Sequence, residues 1–258
     1  MFKTQAEERK MDEQQYISSL IFKTGENIKI PVYEWFVAER SKYHFIQVAK
    51  TNLGRTLFVN GIVQSAEGDD GVYERYMIRP LRDCDKKILI IGGGDGKLAV
   101  TARAMNPSAE ITVVDIDEKI VEISQMYFRQ NIFSNPKIEL IIGDAHKFLR
   151  DRASTSSSRF DGVLVDLTDD PVRKDDENFV SFYLKLADLI LRNLASDGWV
   201  SIQAGTDEVC ESFLDYQEEL QKIFSPFFEL VEKCSAQIPS FEPDKAAFLY
   251  CMHPHLRD

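Results

Sequence analysis

The chain has 258 residues and 44% of them are hydrophobic, enough for one large domain or for a domain with a small appendage. Its 42 acidic and 31 basic residues give a formal net charge of −11, which argues against a nucleic-acid-binding surface and suits a cationic partner. The sequence also contains no apolar run that could span a bilayer and no C-x-x-C spacing among its four cysteines. We therefore expect a reduced, cytoplasmic protein without a signal peptide that binds neither membrane nor nucleic acid.

The first 80 residues predict a polar tail followed by a small antiparallel β domain. The chain is polar up to about Gln15, and short β-branched or aromatic segments separated by turn residues follow. Asn60-Gly61 between apolar residues is a strong hairpin signal. Residues 64–70 then predict a polar loop, and residues 72–81 predict a helix. The predicted strands cover residues 17–22, 27–30, 33–38, 43–48 and 56–59.

A buried strand and a glycine-rich turn come next, in the stretch KILIIGGGDG over residues 87–96. The apolar run from Ile88 to Ile91 predicts the strand, and the glycines let a ligand approach the backbone at the start of the next helix. Asp95 lies in this turn, where a pyrophosphate would require a site without negative charge. The turn therefore favours a guest with a positive group, such as an S-adenosyl compound, and a tight turn without a ligand is the alternative.

Strands and helices alternate over the rest of the chain, which predicts a doubly wound parallel sheet in an α/β protein. Two further apolar segments near the C-terminus predict an antiparallel addition to one edge, and residues 154–158 (STSSS) predict a flexible loop. The predicted strands cover residues 88–91, 111–115, 138–142, 162–166, 199–203, 227–233 and 246–252. The predicted helices cover residues 98–105, 118–131, 145–150, 178–194 and 207–224, the last with Asp207 as its N-cap.

Carboxylates lie at four consecutive strand ends of this predicted sheet. Asp95 follows the first strand, Asp115 ends the second, Asp144 follows the third and Asp166 ends the fourth. Ligands bind at these ends in open α/β sheets, although a single aspartate there is commonly a turn or cap residue. Asp115 is positioned to accept hydrogen bonds from ribose hydroxyls, Asp144 to meet an adenine amino group, and Asp95 to meet an amine. Asp166 and Asp169 are positioned to hold a cationic amine and to accept its proton as a general base.

Seven short motifs occur in order along the chain, namely LFVNGIVQ at 57–64, Tyr73-Glu74, GGGDG at 92–96, VVDID at 113–117, GDA at 143–145, DLTDDP at 166–171 and IPSF at 238–241. Together they resemble the polyamine aminopropyltransferases, the spermidine and spermine synthases, from about Tyr43 to the C-terminus. The resemblance implies a Rossmann-like, methyltransferase-type doubly wound sheet with a small N-terminal antiparallel β domain. We expect the two parts to cover residues 1–80 and 81–258.

The resemblance also implies the reaction. An aminopropyl group would pass from decarboxylated S-adenosylmethionine, bound as a co-substrate, to a polyamine amine, with release of methylthioadenosine and without a metal. Asp166 would be the general base, helped by Tyr73 and Asp169. A homodimer or homotetramer is the assembly that the family pattern implies.

The same resemblance implies which residues bind the two substrates. Gln64 and Asp95 would hold the aminopropyl end of the donor, Asp115 its ribose and Asp144 its adenine. The donor would also contact Gly92, Gly94 and Ala145. The amine substrate would contact Tyr73, Asp169, Gln203 and Glu242.

Departures from the family pattern bear on the acceptor amine. The segment DLTDDP at 166–171 is more similar to spermine synthases, so we place spermidine as acceptor, giving spermine or thermospermine, ahead of putrescine giving spermidine. His44 stands where the family often has Gln, and it either binds ligand or only packs on the β domain. Phe241 lacks the phenolic hydroxyl that is frequent there. Glu242 and Asp244 either bind the far ammonium of a long polyamine or are simply exposed to solvent.

Two other functions share much of this pattern. An S-adenosylmethionine-dependent methyltransferase would have a similar nucleoside-binding half, but its methyl donor carries a carboxylate that Asp95, Asp166 and Asp169 would repel. A non-catalytic relative would bind a polyamine or a nucleoside as a regulatory protein, although the presence of Asp166 and Tyr73 argues for catalysis.

Overall fold

The N-terminal part of the chain forms two small antiparallel sheets. The computed structural model describes residues 15–128, 134–155, 158–168, 171 and 177–255, so the predicted polar tail over residues 1–14 lies outside it. The strands are β1 (Tyr16–Leu20), β2 (Asn27–Pro31), β3 (Glu34–Arg40), β4 (Phe45–Thr51), β5 (Gly54–Val59) and β6 (Ile62–Ala66). The pair β1–β2 is a hairpin, and β3 to β6 form a four-stranded sheet in sequential order.

The turn between β5 and β6 follows from the Asn60-Gly61 pair. The two residues have positive φ angles of 52° and 85°, as tight hairpin turns require. Strand β6 therefore pairs with β5, and a short 3-10 helix follows at Glu67–Asp69. The predicted loop over residues 64–70 is wrong for residues 64–66, because the ladder with β5 satisfies their backbone polar groups.

Seven strands form the main sheet, in the order β12-β13-β11-β10-β7-β8-β9. They are β7 (Lys87–Gly92), β8 (Glu110–Asp115), β9 (Ile138–Ile142), β10 (Phe160–Asp166), β11 (Leu194–Thr206), β12 (Phe228–Ala236) and β13 (Ala246–Pro254). Neighbours from β11 to β9 run parallel, and β13 pairs antiparallel with β11 and β12. The strand order reverses between β7 and β10, which opens a crevice at the carboxyl ends of these strands.

Helices alternate with these strands. The described helices are α1 (Val72–Met77), α2 (Lys97–Met105), α3 (Glu118–Phe128), α4 (Ala145–Thr155), α5 (Phe179–Asn193) and α6 (Tyr216–Phe224). With the mixed sheet they confirm the expected Rossmann-like, methyltransferase-type α/β fold with a small N-terminal antiparallel part. None of the helices in the described residues is both long and apolar enough to cross a membrane.

Two apolar cores cover the two faces of the main sheet, because side chains alternate between faces along each strand. In β7, Leu89 and Ile91 belong to one core and Ile88 and Ile90 to the other. The first core includes buried residues of α4, α5 and α6, and the second includes buried residues of α1 and α2. The sheet therefore has helices on both faces, and its strand ends are left free to bind a ligand.

The four-stranded sheet also has two covered faces. Val48 and Leu57 pack with Ile123 of α3 on one face. Ala49 and Phe58, one residue further along each strand, pack with the β1–β2 hairpin on the other face. The hairpin is thus held against the small sheet and faces the crevice of the main sheet.

The predicted helix over residues 207–224 is wrong in its first half. Helix α6 begins at Tyr216, and the Asp215 carboxylate, rather than Asp207, caps it by accepting the Glu218 amide at 2.8 Å. The preceding segment docks against the hairpin instead: the Cys210 amide donates to the Phe22 carbonyl at 2.9 Å, and the Phe213 ring packs on Phe22 at 5.5 Å. Tertiary contacts therefore override the local helical pattern.

Several predicted boundaries also differ. Helix α1 ends at Met77 rather than at residue 81, because the residue before Pro80 is disfavoured in the helical region. Helix α4 continues to Thr155, into the predicted loop over residues 154–158. The predicted helix over residues 118–131 is described to Phe128, and its last residues lie outside the described ranges.

Candidate active site

Two adjoining cavities lie at the carboxyl ends of the main-sheet strands. The larger measures about 360 Å³ and extends towards the β1–β2 hairpin and β6, and the smaller measures about 100 Å³ and lies beside β8 and α4. Asp115 and Asp166 line both cavities. The two cavities therefore form one continuous site, and its junction carries two carboxyl groups.

Asp166 ends β10 and faces Tyr73 of α1. The Tyr73 hydroxyl donates a hydrogen bond to Asp166 Oδ1 at 2.5 Å. Desolvation raises the pKa of Asp166 to about 7, and repulsion from Asp95 and Glu74 adds to this rise. The Tyr73 hydrogen bond lowers the pKa and is outweighed. Burial, and then the neighbouring Asp166, also raise the pKa of the Tyr73 hydroxyl well above its ordinary value. This pair can accept a proton near neutral pH.

The glycine turn brings the backbone close to both carboxylates. Gly92 has a φ of +82°, and a Cβ atom there would lie 2.0 Å from the Asp166 carbonyl oxygen. The Gly94 amide donates to Asp115 Oδ2 at 2.9 Å, and a Cβ at Gly94 would lie 2.5 Å from that oxygen. Gly92 lines the smaller cavity and Gly94 the larger one.

Asp115 ends β8 and is 7% exposed. Its Oδ1 accepts the Asp117 amide at 2.8 Å, while Oδ2 accepts the Gly94 amide. Burial raises the pKa of Asp115 to about 6 despite these two hydrogen bonds. The carboxylate is held by backbone donors on one side and faces the junction of the cavities on the other.

Asp95 lies in the larger cavity, one step beyond the glycines. Its Oδ1 accepts the Lys97 amide at 3.1 Å, and Ser65 of β6 also hydrogen-bonds the carboxylate. Burial raises the pKa of Asp95, and the nearby Lys97 charge opposes that rise. The Lys97 ammonium donates to the Ala66 carbonyl at 2.7 Å, so it is engaged by the backbone.

Asp144 and Ala145, two of the predicted donor-binding residues, line the smaller cavity. Asp144 precedes α4 and is largely exposed, and its Oδ1 accepts the Lys147 amide at 3.0 Å. His44 also lines this cavity and is 9% exposed, with Nδ1 2.8 Å from Asp117 Oδ2. His44 is therefore buried against Asp117 and also faces the smaller cavity.

Most of the predicted amine-binding residues line the larger cavity, and one lies outside the described residues. Gln64, Gln203 and Glu242 line the larger cavity with Tyr73, whereas Asp169 lies outside the described residues. The other walls are apolar side chains of the small sheets, namely Leu20, Ile21, Ile28, Ile30, Leu57, Val59, Ile62 and Val63. Such a wall suits the apolar part of a ligand.

Asp244 also differs from the expectation of solvent exposure. It is 5% exposed, and its carboxylate accepts the backbone amides of Phe22 at 2.8 Å and Lys23 at 3.3 Å. Asp244 thus anchors the hairpin that closes the larger cavity.

Sequence analysis assigned no role to two acidic residues of the larger cavity, Glu74 and Asp69, although Glu74 belongs to the Tyr73-Glu74 motif. Asp69 is 4% exposed and accepts both the amide and the hydroxyl of Ser240, at 2.9 and 2.8 Å. Glu74 is 5% exposed. A signal for Glu74 was present, because positions three and four residues later, Met77 and Ile78, are apolar and share its helix face.

The arrangement as a whole is a polar, anionic junction between two cavities, and the larger cavity has an apolar wall. It offers a candidate proton acceptor and several carboxyl groups for cations. Within the described ranges, no group of three or more His, Cys, Asp or Glu side chains is arranged to hold a metal ion.

Comparison with protein families and curated proteins finds consistent relatives. The family model described as "Spermine/spermidine synthase domain" matches residues 78–255. Polyamine aminopropyltransferase 1 of Hyperthermus butylicus is 28% identical over 222 residues, which cover 82% of this chain and 73% of that protein. A polyamine aminopropyltransferase of Thermoanaerobacter sp. is 29% identical over 225 residues, which cover 84% of this chain and 77% of that protein.

Comparison with solved structures supports the fold. The spermidine synthase of Thermotoga maritima has a TM-score of 0.77 at 16% identity, covering 93% of this chain and 80% of its own. A spermidine synthase in complex with the transition state analogue AdoDATO has a TM-score of 0.78 at 18% identity, covering 93% of this chain and 81% of its own.

Proposed function

This chain belongs to the spermine/spermidine synthase family, and we propose that it transfers an aminopropyl group from decarboxylated S-adenosylmethionine to spermidine, giving spermine or thermospermine. The family match and the relatives support aminopropyl transfer in general. Spermidine as the acceptor is our proposal, and putrescine is the second candidate acceptor. The observation that carries the proposed reaction is the junction of the two cavities, where Asp115 and Asp166 face both.

The proposed binding mode follows the cavities. The adenosine part occupies the smaller cavity, with Asp144 and Ala145 at its base end and Asp115 at its ribose. The aminopropyl arm extends past Gly94 into the larger cavity, where Asp95 and Gln64 bind its ammonium. The acceptor lies along the apolar wall, with Tyr73, Asp169, Gln203 and Glu242 as its polar contacts.

Asp166 is the proposed general base. The acceptor nitrogen must lose a proton before its lone pair can attack the carbon next to the sulfonium, and a carboxylate near neutral pH can take it. As the new C–N bond forms, the C–S bond breaks and its electrons neutralise the sulfur of methylthioadenosine. Most of the catalysis is therefore positioning and charge complementarity.

The acidity of the larger cavity supports a donor without a carboxylate. Asp95, Glu74 and Asp69 lie along one part of its wall. The carboxylate of ordinary S-adenosylmethionine would be repelled there, whereas the ammonium of the decarboxylated donor would be attracted. We also propose that the boundary between the small β domain and the catalytic domain falls near Pro80, close to residue 78, where the family match begins.

The test is product analysis with competing substrates. Purified protein receives decarboxylated S-adenosylmethionine together with equal amounts of putrescine and spermidine, and the polyamine products are separated by chromatography. We expect methylthioadenosine and a tetraamine as the main products. Spermidine as the main product would overturn the acceptor, and S-adenosylhomocysteine formed from ordinary S-adenosylmethionine would overturn the reaction.

A matched pair of variants tests the base. Asp166→Asn keeps the shape of the side chain and should lower kcat by at least about 100-fold, because the proton acceptor is lost. Asp151→Asn, the same change at an exposed position of α4, should leave kcat within about twofold. Equal kcat values for the two variants would contradict the role of Asp166.

A further inference from the structure

Asp69 is a buried carboxylate that joins two walls of the larger cavity. It ends the short 3-10 helix at Glu67–Asp69, in the N-terminal part of the chain. Its Oδ1 accepts the backbone amide of Ser240 at 2.9 Å, and its Oδ2 accepts the Ser240 hydroxyl at 2.8 Å. Both residues line the larger cavity, although 171 positions separate them in the sequence. The pair therefore fixes a C-terminal segment against the N-terminal part of the chain.

Asp69 is itself held by its own segment. Its Oδ2 also accepts the Ala66 amide at 3.3 Å, and Ala66 is the last residue of β6. The carboxylate therefore receives two backbone amides and one hydroxyl, and hydrogen bonds to a carboxylate are stronger than those between neutral groups. Asp69 is thus a fixed acceptor, and Ser240 is the residue that it positions.

Ser240 is followed by Phe241, whose ring packs on Tyr73. Ser240 and Phe241 belong to a second short 3-10 helix, at Pro239–Phe241. The ring centroids of Phe241 and Tyr73 are 6.2 Å apart and the ring planes differ by 15°, which is a stacked pair. The Phe248 ring of β13 also packs on Tyr73, at 5.6 Å. Tyr73 therefore has two aromatic neighbours.

These two neighbours of Tyr73 are held in different ways. Phe248 is fully buried in the main sheet, so the packing of the core fixes it. Phe241 is only partly buried and lies in a single turn of 3-10 helix, which is a weakly hydrogen-bonded structure. The position of Phe241 therefore depends on the hydrogen bonds between Ser240 and Asp69.

We propose that Asp69 and Ser240 are positioning residues for the general base. They hold Phe241 on the Tyr73 ring, and that ring keeps its hydroxyl on Asp166 Oδ1, 2.5 Å away. Their role rests on the proposed function, in which Asp166 takes the proton of the acceptor amine. Asp69 and Ser240 act on Asp166 through Phe241 and Tyr73.

The consequence is a loss of activity that depends on pH. The Tyr73 hydrogen bond lowers the pKa of Asp166, whereas burial and the charges of Asp95, Glu74 and Asp115 raise it. A Tyr73 ring that is held less firmly makes a weaker hydrogen bond, so the pKa of Asp166 should rise. Damage to the fold would instead lower activity at every pH.

Ser240→Ala is the test variant because it removes the hydroxyl without changing a charge. Asp69→Asn would also remove a charge that acts on Asp95 and Glu74. Ser240→Thr keeps the hydroxyl and should restore the wild-type profile. Ser225→Ala, at an exposed serine whose hydroxyl donates to a backbone carbonyl, is the control for the loss of a serine hydroxyl.

The experiment measures kcat/KM with decarboxylated S-adenosylmethionine and spermidine from pH 5.5 to 9. We expect Ser240→Ala to raise the midpoint of the profile by about 0.3–1 unit, less than Tyr73→Phe does. Its kcat/KM should fall by about twofold to tenfold at pH 6 and stay within about twofold of wild type at pH 9. The double variant should have the midpoint of Tyr73→Phe, because the hydroxyl that Ser240 positions is absent there.

Two results would overturn the inference. These are a wild-type midpoint in Ser240→Ala, or an equal shift caused by Ser240→Ala in the wild type and in Tyr73→Phe. Phe241→Leu removes the ring and keeps the bonds of Ser240, so it should also raise the midpoint, and an unshifted profile would overturn the inference where Ser240→Ala folds poorly. A wild type that transfers no aminopropyl group would instead overturn the proposed function.

Discussion

At the scale of single residues, Asp166 and Tyr73 act on each other through a 2.5 Å hydrogen bond. The Tyr73 hydroxyl lowers the pKa of Asp166, and Asp166 raises the pKa of Tyr73. A general base works in its ionised form, so kcat/KM should rise with pH through the pKa of Asp166, which is about 7. The pKa of the Tyr73 hydroxyl lies well above its ordinary value, so the rise near pH 7 belongs to Asp166.

Tyr73→Phe should move this rise to higher pH. The lost hydroxyl donates to the ionised carboxylate and lowers the pKa of Asp166, so its removal should raise the midpoint of the kcat/KM profile by about 0.5–1.5 units. The measurement is kcat/KM from pH 5.5 to 9. Tyr76→Phe on the same helix is the control, because Tyr76 packs its ring on Phe248. A midpoint that stays at the wild-type pH in Tyr73→Phe would contradict the pairing.

At the scale of elements, the turn after β7 has no space for a side chain at its first glycine. Gly92 leaves no room for a Cβ atom beside the Asp166 carbonyl, and its φ of +82° lies in the left-handed region. The turn thus sets the distance between β7 and the end of β10. Asp166 keeps its position because the neighbouring strand end can approach closely.

Gly92→Ala should therefore destabilise the protein by at least about 3 kcal/mol, through overlap and backbone strain together. Gly143→Ala is the matched control, because a Cβ there would meet nothing within 4 Å. Urea denaturation of both variants measures the free energy of unfolding. Similar values for the two variants would mean that the turn after β7 relaxes more easily than its geometry indicates.

The β1–β2 hairpin is a second element, and one buried side chain, Asp244, binds its turn. Asp244 accepts two hairpin amides, those of Phe22 and Lys23. Glu208 also pairs with Lys23, but this ion pair is exposed and contributes little. The hairpin supplies part of the apolar wall of the larger cavity, so its anchoring bears on the proposed acceptor site.

Asp244→Ala should loosen the hairpin and raise KM for the acceptor amine, with a smaller effect on KM for the donor. Amide hydrogen exchange should become at least about tenfold faster over β1 and β2, because local opening costs less free energy. Glu208→Gln should leave both measurements near wild type. Exchange that is unchanged in Asp244→Ala would show that the Asp244 carboxylate does not hold the hairpin.

At the scale of the whole molecule, the acidic junction lowers stability. Folding raises the pKa of Asp166 from its ordinary 3.8 to about 7 and that of Asp115 to about 6. The folded state therefore binds more protons than the unfolded state between about pH 4 and pH 7. The free energy of unfolding should fall as pH rises through this window, and these two groups have no effect below it.

Asp166→Asn should stabilise the protein at pH 8 by about 1–3 kcal/mol, because it removes a carboxylate charge that burial disfavours. It should also flatten the fall in stability between pH 5 and pH 7. Thermal unfolding of wild type and variant at several pH values measures both effects. A variant less stable than wild type at pH 8 would contradict the pKa assigned to Asp166.

Much of the fold was predictable because its signals are local. Asn60-Gly61 predicted the turn of a hairpin, and apolar runs with glycine or aspartate at their ends predicted the parallel strands. The motifs in the sequence also predicted the family, and the family match confirms it. The helix over residues 207–215 was predicted wrongly because the segment binds the distant Phe22 region, and no local pattern carries that contact.

The sequence by itself determined which chemical groups this protein has and where along the sheet they fall, because strand ends can be recognised from period and glycine content. Only the tertiary structure decided what those groups do to one another. Asp166, Asp95, Asp115 and Glu74 come from four separate segments, and their mutual repulsion depends on distances between segments and on the water excluded around them. Charge interactions and desolvation depend on position in space, and sequence spacing does not specify it.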